Sequence, residues 1–319
     1  MPDHYVMFWN VENLFDVENS PRRTDKLRRT LAGELGGWTE AVLSRKLGQL
    51  AKVISHVNGG RGPDLLGVCE VENKYVLDRL CQAVSALGRN YSVVHADTQD
   101  QRGIDVAFIY DPSRFTPGQT FFHYIVRRVA TRDLVQVNFR TAGGRTLVVI
   151  GNHWPARIGG KLESEPYRII AGETLAYFHE RIREELGPDT PVLAMGDFND
   201  EPFDRSMTEY ACCERQRTKV TRATSPRFLN LMWGLAGQGL GTHYFDNTAN
   251  LLDQFLASRS LLTGAGGLTV VPNTVEIVRF AEMVNPGAYP SPIRFGRGGE
   301  ANPNGFADHF PIGVMIHEA

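Results

Sequence analysis

Short apolar runs recur along the chain, and each run stops at polar residues. Runs of about four to eight apolar residues bounded in this way are typical of β-strands that are largely buried. The pattern therefore predicts strands at 5–9, 65–68, 106–110, 147–150, 192–195, 254–257 and 312–316.

Between some of these runs the apolar residues recur at helical spacing instead. The clearest segments are 42–57, which contains Leu43, Leu47 and Leu50, and 169–182, which contains Leu175. Apolar residues three or four positions apart form one face of an amphipathic helix. The alternation of helices and strands predicts a fold of α/β character.

Two long segments, 19–37 and 285–305, are rich in Arg, Gly, Pro and Ser and are predicted to be loops. Neither marks a change of composition between two parts of the chain, and no internal repeat of fixed period is visible. Residues 1–319 are therefore interpreted as a single domain.

The composition is typical of a soluble globular protein. Hydrophobic residues make up 42% and charged residues 22% of the 319-residue chain, which is enough apolar material for a sizeable core. The formal net charge is −2, so any contact with a polyanion has to be local rather than driven by the field of the whole chain.

The cysteines and the N-terminus bear on location. Cys69, Cys81, Cys212 and Cys213 form no Cys-x-x-Cys pair and no zinc-site spacing, which favours a reducing compartment. The N-terminus shows no basic region followed by an apolar stretch, and no run of about 18 uncharged apolar residues predicts a membrane span. We expect a cytoplasmic protein, and the sequence leaves its oligomeric state open.

Asn, Glu, Asp and His residues accompany the ends of several predicted strands. Open sheets tend to place their ligands at the carboxyl ends of strands, so a set of such residues predicts one convergent polar site. The set consists of Asn10, Glu70, Asn152, His153, Asp197, Asn199, Asp308 and His309.

This set provides the groups that phosphoester hydrolysis needs. The reaction requires a cation on the phosphoryl oxygens, an oriented water, and a group that neutralises the leaving oxygen. Carboxylate and amide oxygens suit a hard cation such as Mg²⁺. His153 and His309 provide donors and proton carriers near neutral pH.

The same residues lie in ordered motifs that resemble those of the endonuclease/exonuclease/phosphatase superfamily, which includes pancreatic DNase, abasic-site endonucleases, inositol polyphosphate phosphatases and bacterial sphingomyelinases. Each motif alone is weak, but together they follow the family's order along the chain. They are Phe-Trp-Asn-Val-Glu-Asn-Leu-Phe-Asp at 8–16, whose Asn-Val-Glu-Asn-Leu-Phe-Asp resembles a bacterial member, Gly-Val-Cys-Glu-Val-Glu-Asn at 67–73, Arg-Gly-Ile-Asp-Val-Ala at 102–107, Gly-Asn-His-Trp-Pro at 151–155, Gly-Asp-Phe-Asn at 196–199, Leu-Asp-Gln-Phe at 252–255 and Asp-His-Phe-Pro-Ile at 308–312.

The resemblance implies a four-layered α/β/β/α sandwich, in which two mostly antiparallel sheets pack face to face between outer helices. It implies that Glu70 is the main metal ligand, with Asn10 and Asp308 close to the ion or its waters. The expected cofactor is Mg²⁺, with Mn²⁺ as the alternative. Cys69 departs from the pattern, because many members carry Gln before the metal-binding Glu.

The resemblance also implies the catalytic roles. Asp197 is expected to orient or deprotonate the attacking water, and Asn199 to hold the phosphate or that water. His309 is expected to hydrogen-bond a non-bridging phosphate oxygen, with Asp253 fixing its tautomer and increasing its basicity.

Other positions leave alternatives open. His153 is expected to be a second donor near the phosphate or the leaving group, with Asn152 beside it in the site. Asp105 either points at the site or pairs with an arginine. Glu12 and Glu72 are as readily surface or supporting residues as metal contacts.

Three clusters of basic residues bear on the substrate. A solvated loop is the ordinary interpretation of the first cluster. Together the clusters suit an anionic substrate with more than one phosphate, or a single strand passing the site. Their members are Arg22, Arg23, Lys26, Arg28 and Arg29, then Arg127, Arg128 and Arg132, and finally Arg157, Lys161 and Arg168.

We therefore expect a metal-dependent phosphodiesterase that hydrolyses DNA, RNA or nucleotide phosphodiester bonds by direct attack of an activated water. The alternative is a phosphomonoesterase or small-molecule phosphodiesterase that acts on a sugar, inositol or lipid phosphate. A binding module that has lost catalysis is disfavoured, because the Glu, Asp and His positions of the motifs are all present.

Overall fold

Two large β-sheets occupy the centre of the protein in the computed structural model, which describes residues 3–98, 100, 102–128 and 131–319. The first sheet contains, in spatial order, β14 (Leu268–Val270), β16 (Ile312–Glu318), β1 (Asp3–Leu14), β2 (Leu65–Val71), β4 (Asp105–Tyr110) and β3 (Ser92–Val94), with β15 (Glu276–Ile277) paired to β16. The second sheet contains β5 (Phe115–His123), β6 (Leu134–Thr141), β7 (Thr146–His153), β8 (Val192–Asp197), β13 (Asp253–Ser258), β10 (Phe228–Asn230) and β9 (Cys213–Glu214).

A separate small hairpin and several helices complete the described part of the chain. The hairpin pairs β11 (His243–Phe245) with β12 (Thr248–Asn250). The α-helices are α1 (Asp25–Thr30), α2 (Ala32–Leu35), α3 (Glu40–Gly60), α4 (Lys74–Ala83), α5 (Lys161–Leu186), α6 (Arg217–Thr221) and α7 (Arg259–Thr263). No helix in the described ranges has the length and apolar character needed to cross a bilayer.

The two sheets pack face to face through a shared apolar layer. Phe8 and Phe108 from the first sheet lie in one buried cluster with Phe139, Met195 and Phe255 from the second. Burying side chains of this size is the main favourable term in folding. The sheets are mostly antiparallel, and the parallel pairs are β1 with β2, β7 with β8, and β9 with β10.

Helices cover the outer faces of both sheets. Leu47 and Leu50 of α3 share a buried cluster with Trp9 of β1 on the outside of the first sheet. Leu175 of α5 shares another with Ile150 of β7 on the outside of the second. The predicted α/β/β/α sandwich is confirmed.

The apolar pattern located the central elements correctly, but one predicted loop is wrong. Every predicted strand lies within an observed one, and both predicted helices lie within α3 and α5. The segment 19–37 instead contains α1 and α2. Thr24 caps α1 by accepting a hydrogen bond from the Leu27 amide, and Leu31 and Leu35 are buried against the ring of Trp38.

One edge of each sheet collects the predicted polar residues, although not always at carboxyl ends. Asp308 and His309 precede β16 instead of following a strand. Because β16 runs antiparallel to β1, with Ile312 opposite Phe8, its beginning lies at the same edge as the end of β1. Asp253 likewise begins β13 and pairs with Asp197 at the end of β8.

Candidate active site

Backbone irregularities shape the edge of the first sheet. The pairing of β1 with β2 changes register after Asn10, and the pairing of β2 with β4 changes register around Glu70. Bulges and left-handed non-glycine residues often re-aim side chains near functional sites. The left-handed residues of this region are Glu12, Asn13, Glu70 and Asn199, with φ values of 53°, 53°, 62° and 53°.

Asp197 lies at the centre of the predicted site. Its Oδ2 accepts a hydrogen bond of 3.1 Å from the amide of Asn10, and its Oδ1 accepts one of 2.9 Å from the main-chain N–H of Asn199. The Nε2 atoms of His153 and His309 lie 3.8 and 3.9 Å from Oδ2. Burial raises the pKa of Asp197 to about 7, with Asp253 adding to the rise and His309 opposing it.

His309 forms a buried pair with Asp253. Its Nδ1 lies 2.7 Å from Oδ2 of Asp253, and its carbonyl oxygen accepts a hydrogen bond of 2.9 Å from the indole of Trp9. Burial alone would lower the pKa of His309, but the carboxylates of Asp253 and Asp197 raise it well above its ordinary value. The result is an oriented cation beside Asp197.

Glu70 lies at the rim of this cluster. Its Oε2 accepts a hydrogen bond of 3.0 Å from the main-chain N–H of Asn13, so a backbone group supports this carboxylate. Its Oε1 lies 3.7 Å from Nε2 of His153 and 3.9 Å from Arg102. Burial and the nearby Asp308 raise the pKa of Glu70.

The oxygen atoms around Glu70 are of the type that a hard divalent cation binds. Asp308 is near enough to Glu70 to raise its pKa, and the amide oxygen of Asn10 accepts a hydrogen bond of 3.1 Å from the main-chain N–H of Glu12. A second arrangement of possible ligands joins Asp197, Asp253 and His309 within 4.8 Å. We assign that arrangement to hydrogen bonding, because Nδ1 of His309 is already engaged by Asp253.

His153 lies between Glu70 and Asp197 and is fully buried. Burial lowers its pKa well below the ordinary value, and Arg132 and Arg102 lower it further. A neutral imidazole can still donate one hydrogen bond from Nε2. Its position is therefore compatible with the predicted donor role.

The two asparagines differ in what their amides contact. The Asn152 side chain is fully buried, donates to the carbonyl of Ile150 at 2.9 Å and accepts from the indole of Trp154 at 3.0 Å. We therefore treat Asn152 as a positioning residue behind the site rather than a substrate contact. The side-chain amide of Asn199 donates a hydrogen bond of 3.0 Å to the carbonyl of Trp154, and its main-chain N–H donates to Asp197.

Glu12 and Glu72 are buried supports of neighbouring loops. Glu12 accepts hydrogen bonds from the guanidinium of Arg294 at 2.8 Å and the main-chain N–H of Phe295 at 2.9 Å. Glu72 accepts two from the guanidinium of Arg23, at 2.7 and 2.6 Å. Between the two alternatives left open for them, these contacts favour the supporting role.

Asp105 follows neither of its predicted alternatives among the described residues. One carboxylate oxygen accepts hydrogen bonds from the N–H and hydroxyl of Thr98 at 3.0 and 2.6 Å. The other lies 3.4 Å from His95. Asp105 therefore fixes the connection between β3 and β4, and no described arginine pairs with it.

The basic clusters are largely neutralised by local partners, which corrects their predicted roles. Arg23 is buried on Glu72 rather than solvated. Arg168 is fully buried, 2.8 Å from Asp200, and does not face a substrate. Further members also have partners: Arg22 pairs with Asp16, Arg28 with Asp25, Lys161 with Asp204, and Arg132 with Asp100.

Three residues near the site were not predicted as site residues. Arg102 lies near Glu70, Arg294 lies 3.5 Å from Asp308, and the ring of His243 lies 4.6 Å from that of His309. Arg102 stands in a recognised motif, which was a usable signal. Arg294 and His243 lie in segments without periodicity, so only the folded chain shows their proximity.

The fold and the site define an α/β/β/α protein with a cluster of carboxylates and imidazoles at one edge of its paired sheets. The model of the endonuclease/exonuclease/phosphatase family matches residues 5–318, so the chain belongs to that family. A comparison with curated protein sequences finds no match.

Solved structures share this fold at low sequence identity. A humanised TDP2 from D. rerio is 13% identical with a TM-score of 0.59, and the match covers 99% of this chain and 99% of that one. A mannosyl-6-phosphatase from Bacteroides thetaiotaomicron is 16% identical with a TM-score of 0.57, covering 98% and 99%. The human Nocturnin catalytic domain is 15% identical with a TM-score of 0.52, covering 99% and 95%.

Proposed function

We propose that this protein is a divalent-metal-dependent phosphoester hydrolase. The observation that carries the proposal is the buried His309–Asp253 pair facing Asp197, with the Nε2 of His309 3.9 Å from the Asp197 carboxylate. A proton-accepting carboxylate next to an oriented cation, beside a set of oxygen donors, is the combination that metal-assisted attack by water uses.

In this mechanism Glu70, Asn10 and Asp308 would hold Mg²⁺, with Mn²⁺ as the alternative. When bound, the ion withdraws negative charge from the phosphoryl oxygens. Asp197 orients the attacking water and accepts its proton as the new phosphorus–oxygen bond forms. The bond to the leaving oxygen breaks, and that oxygen takes a proton from a solvent water molecule.

The imidazoles and Asn199 complete the proposed mechanism. His309 donates a hydrogen bond to a non-bridging phosphate oxygen, and Asp253 maintains its orientation and charge. His153 donates towards the phosphate or the leaving oxygen. Asn199 holds the water or the phosphate close to Asp197.

For the substrate we propose a phosphodiester of nucleic acid or of a nucleotide. Arg102 lies near Glu70 and Arg294 lies near Asp308. Both side chains are substantially exposed and suit an anionic substrate. A second candidate is a phosphomonoester of a sugar or another small molecule. The basic clusters are paired with local carboxylates, which favours this candidate, because a long polyanion gains most of its binding affinity from free cations along its path. A mannosyl-6-phosphatase also shares the fold.

A substrate panel tests this proposal. Plasmid DNA, oligonucleotides, dinucleotides and phosphomonoesters are incubated with the protein in Mg²⁺ or in EDTA. We expect cleavage of a diester substrate that requires the metal. Fast phosphate release from monoesters without diester cleavage would select the second candidate, and no hydrolysis of any phosphoester would overturn the proposal.

A further inference from the structure

An aromatic pocket of about 570 Å³ lies next to the segments that carry the pair of His309 and Asp253. Its walls come from the loop after β8, the segment 236–240, the hairpin β11–β12 and the loop 288–290. Phe203, Tyr244 and Tyr289 contribute the aromatic rings, and Glu201 contributes a carboxylate. Ligand pockets of small molecules commonly have this size and an apolar lining with few polar groups.

Hydrogen bonds attach the segment that carries the hairpin wall to Asp253 and to Phe310, the residue after His309. Thr242, which directly precedes the hairpin, accepts from the N–H of Asp253 at 3.1 Å through its hydroxyl. Its carbonyl accepts from the N–H of Phe310 at 2.7 Å. His243 faces the ring of His309, and Tyr244 packs edge-on against Phe310. The hairpin wall of the pocket is therefore fixed next to the segments that carry Asp253 and His309.

The exposed rings of the pocket point to a flat ligand. Phe203 is 56% exposed and Tyr289 52% exposed, although large aromatic side chains normally gain by burial. Rings left open at a concave surface are suited to stacking, and stacking on an aromatic side chain is how proteins hold nucleobases without reading their sequence.

A carboxylate of the pocket is suited to the polar edge of such a ligand. One oxygen of Glu201 accepts from the N–H of Leu251 at 3.1 Å. Its second oxygen offers an acceptor for an N–H group such as those at the edge of a base.

We propose that this pocket binds a nucleobase of the substrate, with the base stacked on Phe203 or Tyr289 and its polar edge met by Glu201. The proposal rests on the proposed function, and it names the substrate class as nucleotide phosphoesters. It also separates Phe203 and Tyr289, which determine specificity, from the residues that carry out hydrolysis.

A binding experiment tests the pocket without catalysis. The fluorescence of 2-aminopurine nucleoside monophosphate is titrated with the protein in EDTA. We expect quenching by the unaltered chain, and Phe203→Ala or Tyr289→Ala should weaken binding by about 5- to 150-fold, the range expected for one lost base stack. Tyr289→Phe keeps a ring and should restore most of the affinity.

Tyr177→Ala is the matched control, because Tyr177 is 53% exposed on α5 and does not line the pocket. This variant should bind like the unaltered chain. Absence of quenching by the unaltered chain, or equal weakening by Tyr177→Ala, would overturn the pocket proposal and leave the proposed hydrolysis standing.

Kinetics provide the second measurement. Phe203→Ala should raise KM for a dinucleotide and leave kcat and the hydrolysis of a glycerol phosphodiester, which has no base, unchanged. An equal loss on both substrates would contradict a base-binding role. Intact nucleotide binding without any hydrolysis would instead overturn the proposed function and retain the pocket.

Discussion

The pair formed by His309 and Asp253 has a surface counterpart in the same chain. Nδ1 of His317 also lies 2.7 Å from a carboxylate, that of Asp3, but both of these side chains are about half exposed. A buried pair is screened much less by water and salt than an exposed one. The two pairs therefore allow the effect of burial to be separated from the effect of the contact itself.

Replacing Asp253 tests whether His309 depends on its carboxylate partner. Asp253→Asn should lower kcat by about 10- to 100-fold or more, because His309 loses the partner that orients it and favours its charge. Steady-state kinetics with the best phosphoester substrate measure this. Asp3→Asn should leave kcat unchanged, and equal kcat values for Asp253→Asn and the unaltered chain would contradict the role.

The sequence predicted the residues that come together at the site better than it predicted their partners. Asp197, His309 and Asp253 could be named because they lie in recognisable motifs. The burial of Arg23 could not be predicted, because a run of arginines has the same pattern whether it is solvated or paired. Its partner, Glu72, lies 49 positions away in sequence.

At the scale of elements, the ion pair of Arg23 and Glu72 connects the segment before α1 to the end of β2. Both side chains are buried, and Arg23 also donates to the carbonyls of Asp16 and Glu18. Removing one partner of a buried pair leaves the other charge without compensation, which is more costly than losing an exposed pair.

Arg23→Ala should therefore lower the free energy of unfolding by about 3–5 kcal/mol. Arg28→Ala is the matched control, because the pair of Arg28 and Asp25 is largely exposed and should contribute less than about 1 kcal/mol. Denaturant unfolding measures both. A similarly small decrease in the free energy of unfolding in both variants would show that the Arg23–Glu72 pair does not stabilise the fold.

The helix α5 carries a buried histidine that makes the fold sensitive to acid. The ring of His179 stacks on Phe228 at 4.0 Å, and burial lowers its pKa to about 3, with Arg183 adding to the shift. Between about pH 3 and the ordinary histidine pKa of 6.5, the unfolded chain binds a proton that the folded chain excludes. The contribution of His179 is therefore complete above pH 6.5 and is lost as the pH falls.

We expect the melting temperature to fall between pH 7.5 and pH 5, and to fall less in His179→Leu. His56→Gln, at an exposed histidine, should keep the full decrease. Thermal melts of the three proteins at both pH values make the comparison. An unchanged decrease in His179→Leu would show that His179 does not contribute to the pH dependence.

Strands with continuous apolar runs were predictable, whereas edge and polar elements were not. β5 contains Pro117 and Gly118, which are more typical of a turn. β6 alternates Val135, Val137 and Phe139 with polar residues, a strand pattern that a search for continuous apolar runs does not detect. The helix α4 is short and depends on capping by Asn73.

At the scale of the whole molecule, we propose that residues 1–319 form one domain. Both sheets contribute to the same buried layer, in which Phe8 and Val314 of the first lie with Phe255 of the second. A shared core predicts a single cooperative transition in thermal or denaturant unfolding. Two separate transitions by circular dichroism and tryptophan fluorescence would contradict this interpretation.

The sandwich explains why one edge can collect groups from distant parts of the chain. Asn152 of β7 packs against the parallel strand β8, where a side chain on Gly196 would collide with its carbonyl oxygen. This close approach fixes the end of β8 and therefore Asp197. Such a constraint was not evident from the sequence, because it depends on the distance between two strands.

The hydrolysis rates of two site variants test whether Asp197 and His309 carry out the reaction. Hydrolysis of the best phosphoester is measured in Mg²⁺ for the unaltered chain, Asp197→Asn and His309→Ala, and circular dichroism verifies that each variant is folded. We expect the hydrolysis rate to fall by about 100-fold or more in both variants. Asp197→Asn removes the proton acceptor, and His309→Ala removes the donor that neutralises charge on the phosphate. A folded His309→Ala protein that hydrolyses the substrate at the rate of the unaltered chain would contradict these roles.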